Sequence, residues 1–213
     1  MFHLIKKDFL IQKKNIILSI FVIVFFFISF PKINDISLMV SVFAITYMLT
    51  LGSCAVDEKN NSDKLLSSLP ITKEKLILSK YLSVLVFAAY AVLINVVIYT
   101  TIKILNLPVN LMSISFNGLI SSIIGSILYG SISLPLIFKL GYLKSRMVNL
   151  LLFFAIMFGG TAIIDKMVNK NDLSHIVLIQ SYLILTIIII FISVIIFIVS
   201  YNISLYFYKN REF

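Results

Sequence analysis

The chain has 213 residues, of which 60% are hydrophobic, which leaves no room for a sizeable soluble domain beside its apolar runs. Its net charge of +9 would suit nucleic acid, but the lysines and arginines sit at the edges of apolar runs and no soluble domain displays them, which argues against that partner. The single Cys54 excludes an internal disulfide and reads as a small apolar filler.

Residues 1–15 open the chain as an amphipathic segment. Phe2, Ile5, Phe9 and Ile16 recur at helical spacing, while Lys6, Lys7, Lys13 and Lys14 lie mostly elsewhere. Such a pattern suits an elbow lying at the lipid–water boundary before the first span. Six apolar stretches follow, at Ile16–Phe30, Ile36–Ala55, Tyr81–Ile102, Ser113–Phe138, Met147–Ile164 and Ile176–Ser200. Each is about long enough to cross ~30 Å of hydrocarbon as a helix, and none holds a charge near its middle. A backbone in lipid must satisfy its own hydrogen bonds, so the expectation is an all-α polytopic membrane protein with six transmembrane helices. The first run is not read as a cleavable signal, because Phe30-Pro31-Lys32 does not resemble a cleavage site.

The domain reading is a single transmembrane unit: elbow at 1–15, spans one and two at 16–55, a cytoplasmic loop at 56–80, spans three to six at 81–200, and a cytoplasmic tail at 201–213. The connections on the other side are small: Pro31–Asp35, Asn106–Met112 with Pro108, and the polar Asp165–His175. Span four carries a stripe of small residues, Gly118, Ser122, Ser126 and Gly130, with Ser121 and Gly125 alongside. These let helices approach closely and read as packing in preference to a substrate path. Pro135 should kink this helix, and Gly159-Gly160 marks close packing or a bend in span five. Asn95, Tyr99, Asn117, Tyr129 and Asn149 are the main polar side chains at membrane depth. They either line a pore or bond neighbouring helices, and the second reading is favoured.

Charge orients the bundle. Segments 1–15, 56–80, 139–146 and 201–213 carry Lys6, Lys7, Lys13, Lys14, Lys59, Lys64, Lys73, Lys75, Lys80, Lys139, Lys144, Arg146, Lys209 and Arg211. The alternate segments carry only Lys32, Lys103, Lys166 and Lys170. Basic residues collect on the cytoplasmic side, so both termini are expected inside a bacterial cytoplasmic membrane.

The loop DEKNNSDKLLSSLPITKEKLILSK, Asp57 to Lys80, stands out from the rest. Asn60-Asn61-Ser62-Asp63 offers helix caps, Lys64–Leu69 fits a short helix presenting Leu65, Leu66 and Leu69, and Pro70 interrupts it. Thr72 then caps the helix leading into span three, with Glu74 in its first turn. Leucines held at a membrane edge need a partner or the lipid surface.

An acidic inner edge (Asp57, Glu58), a segment ending Leu-Pro-Ile, then Thr-Lys and Lys80, between spans two and three of six, resembles the permeases of bacterial ABC type-2 transporters. The likeness covers the whole chain by topology and rests specifically on Asp57–Tyr81. It implies that the loop is a coupling helix that docks a separate ATP-binding subunit through Glu58, Leu65, Leu66, Ser67, Ser68, Leu69, Pro70 and Ile71. It further implies that Phe2, Ile5 and Phe9 belong to an elbow helix. Two ATP-binding subunits and a second permease, as homodimer or heterodimer, would complete the assembly. The cargo it implies is an amphipathic peptide, a bacteriocin, a lipid-like molecule or a drug, moved outward. This chain departs from larger members in having no identifiable outer re-entrant segment, for which Lys166–Gln180 is the place. No phosphate-loop motif occurs in the sequence, so ATP and magnesium would belong to the partner and none of the cofactors to this chain.

An intramembrane enzyme would need a nucleophile with its base, a metal site or paired acids. His3 and His175 fall on opposite sides of the membrane, and Asp165, Asp172 and His175 read as a solvated loop in preference to a metal site. An ion-coupled carrier usually shows acids within its spans. The remaining rival is an accessory or immunity protein working without ATP.

Overall fold

The computed structural model describes residues 2–29, 34–62, 65, 72–105, 116–169 and 175–210, with side chains in 2–26, 38–62, 65, 72–105, 118–159 and 186–210. Seven helices account for nearly all of them, and no strand occurs among the described residues. They are α1 (Phe2–Ile11), α2 (Lys13–Ser29), α3 (Asn34–Lys59), α4 (Lys73–Ile104), α5 (Phe116–Leu140), α6 (Tyr142–Asn169) and α7 (His175–Lys209). Five of them, α3 to α7, are long and apolar enough to cross a membrane. α1 and α2 meet at Gln12 with a 63° bend, and count as a sixth crossing when taken together. The all-α polytopic expectation therefore holds, and the first span begins in a bent elbow.

Several helices outrun the apolar stretches that announce them. α3 continues through Asp57 and Glu58 to Lys59, where Asn61 adopts a left-handed φ of 48° and ends it. Asparagine tolerates that conformation, and Ser62 and Leu65 are helical again, so Asn61 ends α3 and also stands just before a new helical segment, where the sequence pattern offered it as a cap. α4 starts at Lys73 with Thr72 as its N-cap residue, in extended conformation but without a side-chain bond. α7 runs to Lys209, so much of the segment expected as a tail is helix. α6 reaches Asn169 and α7 begins at His175, so this connection is shorter than the Asp165–His175 loop the sequence pattern implies. At 1.5 Å per residue α4 and α7 are each roughly 50 Å long, well over the hydrocarbon thickness, and both have turns to spare outside it.

α3 is the central helix. Leu38, Val42, Ile45 and Leu49 are buried against Ile23 of α2 and Phe87 and Ala91 of α4. A second core joins Leu76, Ile77, Tyr81 and Val84 of α4 to Leu134 and Phe138 of α5 and Tyr208 of α7. Between them lies an aromatic cluster. Phe43 and Tyr47 of α3 meet Tyr129 of α5 and Phe153 of α6 with ring centroids 4.5–5.6 Å apart. α6 and α7 turn much of their apolar surface outward, as lipid-facing helices do.

The small-residue stripe lies in the packing surface of α5. Ser122 and Ser126 are buried, and Ser126 Oγ also lies 3.4 Å from Thr46 Oγ1 of α3. At Gly130 a Cβ atom would stand 2.9 Å from a methyl of Val84, so only glycine allows α4 this close. Asn95 is buried and accepts a hydrogen bond from Ser41 of α3 at 2.9 Å. Tyr129 is buried and accepts one from Ser133 at 3.1 Å. Asn95 thus bonds across to α3, whereas the bond of Tyr129 stays within α5 and its ring packs on α3, and Tyr99 is half-buried. Asn149 is fully buried, and neither its amide nitrogen nor its oxygen has a partner. The side chain of Asn117 lies outside the described residues.

Pro135 sits inside α5, which continues through it. Proline has no N–H, so the carbonyl of Ser131 four residues earlier loses its helix donor. Ser200 of α7 donates its hydroxyl to that carbonyl. Tyr81 Oη lies 2.7 Å from both Ser200 and Ser204. Each hydroxyl has one proton, and Ser200 has given its own away. The order is therefore Ser204 to Tyr81 to Ser200 to the Ser131 carbonyl, a chain of bonds joining α7, α4 and α5.

Candidate functional site

The helix ends near Asp57 and Lys80 hold the densest chemistry in the described residues. Asp57 lies in the last turn of α3 and Lys80 two turns into α4, on the two sides of the loop between these helices. Lys80 donates to Asp57, and also to Asp8 of the elbow at 2.9 Å. Lys7 donates to the other oxygen of Asp57 at 2.8 Å, and Ser83 donates to the other oxygen of Asp8 at 2.9 Å. Asp8 is 1% exposed, and Asp57 and Lys80 are each 8% exposed. Two cations thus neutralise two carboxylates with little help from water. A buried charge needs such pairing, and removing one member would strand the rest.

Glu58, next along α3, points elsewhere. Its carboxylate accepts the backbone N–H groups of Tyr142 and, at 3.3 Å, of Leu143. These are among the first amides of α6, which lack helix acceptors and sit at the positive end of the helix dipole. The chain arrives there through Gly141, whose φ of 81° closes α5 with a 2.8 Å bond from its amide to Ile137. Glycine takes this conformation without cost from a Cβ.

A small cleft opens between these groups, lined by Lys7, Asp8, Asp57, Glu58, Lys80 and Tyr142, with Cys54 buried in its wall. At about 40 Å³ it has room for a water and not for a substrate. Among the described residues no group of His, Cys, Asp and Glu is placed to hold a metal ion.

The elbow is a separate helix, and its faces differ from a simple amphipathic division. Phe2 is exposed, Ile5 is half-buried, and Phe9 packs on Tyr90 and Phe87 of α4 with ring centroids 5.5 and 6.5 Å away. Its most buried member is Asp8, an acid that the apolar periodicity passes over. The signal was available: Asp8 is the one acid in a segment with four lysines.

Of the docking residues implied by resemblance, Leu65 is described and exposed, and Glu58 faces inward to α6. Leu66, Ser67, Ser68, Leu69, Pro70 and Ile71 lie outside the described residues. Beyond the loop, Glu74 of α4 pairs with Lys209 of α7 at 2.9 Å. Lys139 lies over the ring of Phe207, 5.1 Å from its centroid. Residues 7–8, 57–58, 74–80, 139–143 and 207–209 are therefore gathered at one end of the bundle.

These features define a multi-pass helical membrane protein whose bonded charges and helix caps gather at one end. Residues 3–209 match the family model described as ABC-2 family transporter protein, so the chain belongs to the ABC-2 transporter family. It is a membrane permease of that family, whose members are transport components, and membership implies association with an ATP-binding subunit in general. No curated protein and no solved structure matched the chain.

Proposed function

We propose that this chain is the translocating half of an ATP-driven exporter in a bacterial cytoplasmic membrane. The loop between α3 and α4 docks a separate ATP-binding subunit, which carries ATP and magnesium. The observation that carries this reading is the bracing of that loop. Its two flanks are joined by the Asp57–Lys80 ion pair, and Leu65 stands exposed beyond them. An exposed leucine on a braced stem is suited to a partner's apolar groove. Two ATP-binding subunits and a second permease would complete the assembly. ATP-driven closure of the subunits would then rock the membrane halves between inward-facing and outward-facing states. Its small outer connections, and a packing surface of serine, tyrosine and asparagine, fit an amphipathic or lipid-like cargo better than a highly charged one.

Affinity purification in mild detergent, with mass spectrometry and an ATPase assay of the eluate, tests this reading. The expected result is a stoichiometric partner bearing a phosphate loop, with vanadate-sensitive ATP hydrolysis. A Leu65→Asp, Leu66→Asp double variant should insert normally and lose that partner. Recovery of the wild-type chain alone, under conditions that preserve membrane complexes, would favour an accessory or immunity protein that works without ATP.

A further inference from the structure

Three separate stretches of chain converge on one ammonium group. Lys80 of α4 bonds Asp57 of α3 and Asp8 of α1, and Ser83, one turn on in α4, fixes the second oxygen of Asp8. Lys7 closes the circuit from α1 back to Asp57. Phe9 stacks on α4 beside them. An element that merely floated on the membrane surface would turn its charges to water. Here the elbow buries an acid in the protein and leaves Lys6, Lys13 and Lys14 exposed. Charges buried in pairs hold geometry more surely than they add stability, because every displaced member must be left unpaired in a dry site.

We propose that Lys80 is a positioning residue that locks the elbow helix to both flanks of the cytoplasmic loop. α1, the end of α3 and the start of α4 then move as one rigid body. A push on the loop is delivered through α1 and the bend at Gln12 to the first span. This rests on the proposed coupling to an ATP-binding subunit, and the test separates the two.

Spin labels at Lys6→Cys and Lys75→Cys, both exposed positions, report the distance between α1 and α4. The background is Cys54→Ala, in the full chain purified with its partner and co-expressed with excess unlabelled chain. The wild-type distance distribution should be narrow and the same with and without trapping by ATP and vanadate. The Asp8→Asn, Lys80→Met pair removes one charge of each sign and leaves Lys7 with Asp57. It should broaden the distribution, and Lys80→Arg alone should keep it narrow. If the double variant fails to fold, Ser83→Ala retains every charge and should broaden it to a smaller degree. A wild-type distance that shifts on trapping, or variants as narrow as wild type, overturns the lock. Absence of the ATP-binding partner sinks the transporter coupling instead. The nucleotide-free comparison of wild type and variants still decides whether the cluster holds α1 to α4.

Discussion

Glu58 shows how one side chain divides a resemblance from a fold. Beside Asp57 in the sequence it reads as part of an acidic inner edge, and in the fold its carboxylate accepts the first amides of α6. Glu58→Ala should lower stability by about 1 kcal/mol, the cost of taking a capping acceptor from the part-buried amide of Tyr142 and the exposed amide of Leu143. Glu58→Gln retains one acceptor oxygen and should cost less. Thermal unfolding in mild detergent reads both, and retention of the ATP-binding partner, corrected for folded protein, should be unchanged. Loss of the partner at an unchanged melting temperature in Glu58→Gln would restore a docking role. The neighbouring cluster was only partly legible for a similar reason. Asp57 and Lys80 are visible as charges at the loop's limits, but the cluster depends on bonds from Lys80 to Asp8 and to Asp57, 72 and 23 residues away in the chain. No local pattern carries such contacts.

At the scale of helices, apolar run length located the spans well, because hydrocarbon thickness sets their minimum length whatever the fold. It misplaced their ends. A run is broken at the first charge, whereas α3 passes through Asp57 because Lys7 and Lys80 neutralise it there. The small-residue stripe was legible as packing, since close approach depends on side-chain size alone. The expected kink at Pro135 carried no hint of how the freed carbonyl is satisfied, because the donor comes from α7. Membrane helices tolerate proline where a neighbour satisfies the freed carbonyl. Ser200→Ala should therefore destabilise the chain by about 1–3 kcal/mol by stranding the Ser131 carbonyl. In a Pro135→Ala background the new N–H can serve that carbonyl, and the same serine change should cost less. The difference between the two costs should be about 1 kcal/mol, within the range for residues sharing one partner. Equal costs in both backgrounds, measured by unfolding in the same detergent, would show that Ser200 acts only through Tyr81.

For the whole molecule, the alternation of lysine and arginine makes a claim that the packing constrains without orienting. Contacts among Lys7, Asp57, Lys80, Glu58, Tyr142, Glu74 and Lys209 bring segments near both termini to one end of the bundle. That requires an even number of crossings, so the bent α1–α2 pair must complete the first of six. Which end faces the cytoplasm is a matter of charge. Fourteen of the eighteen basic residues fall in the segments that include this end, and insertion retains basic flanks inside. Single cysteines placed by Lys6→Cys, Lys144→Cys and Lys103→Cys in a Cys54→Ala chain test the orientation. All three positions are exposed, with Lys103 at the far end of α4. In intact cells an impermeant maleimide should label the cysteine at 103 and spare those at 6 and 144. Permeabilised cells should label all three. The reverse pattern would turn the braced loop to the outside, where no ATP-binding subunit could reach it, and would remove the basis for coupling through α3 and α4.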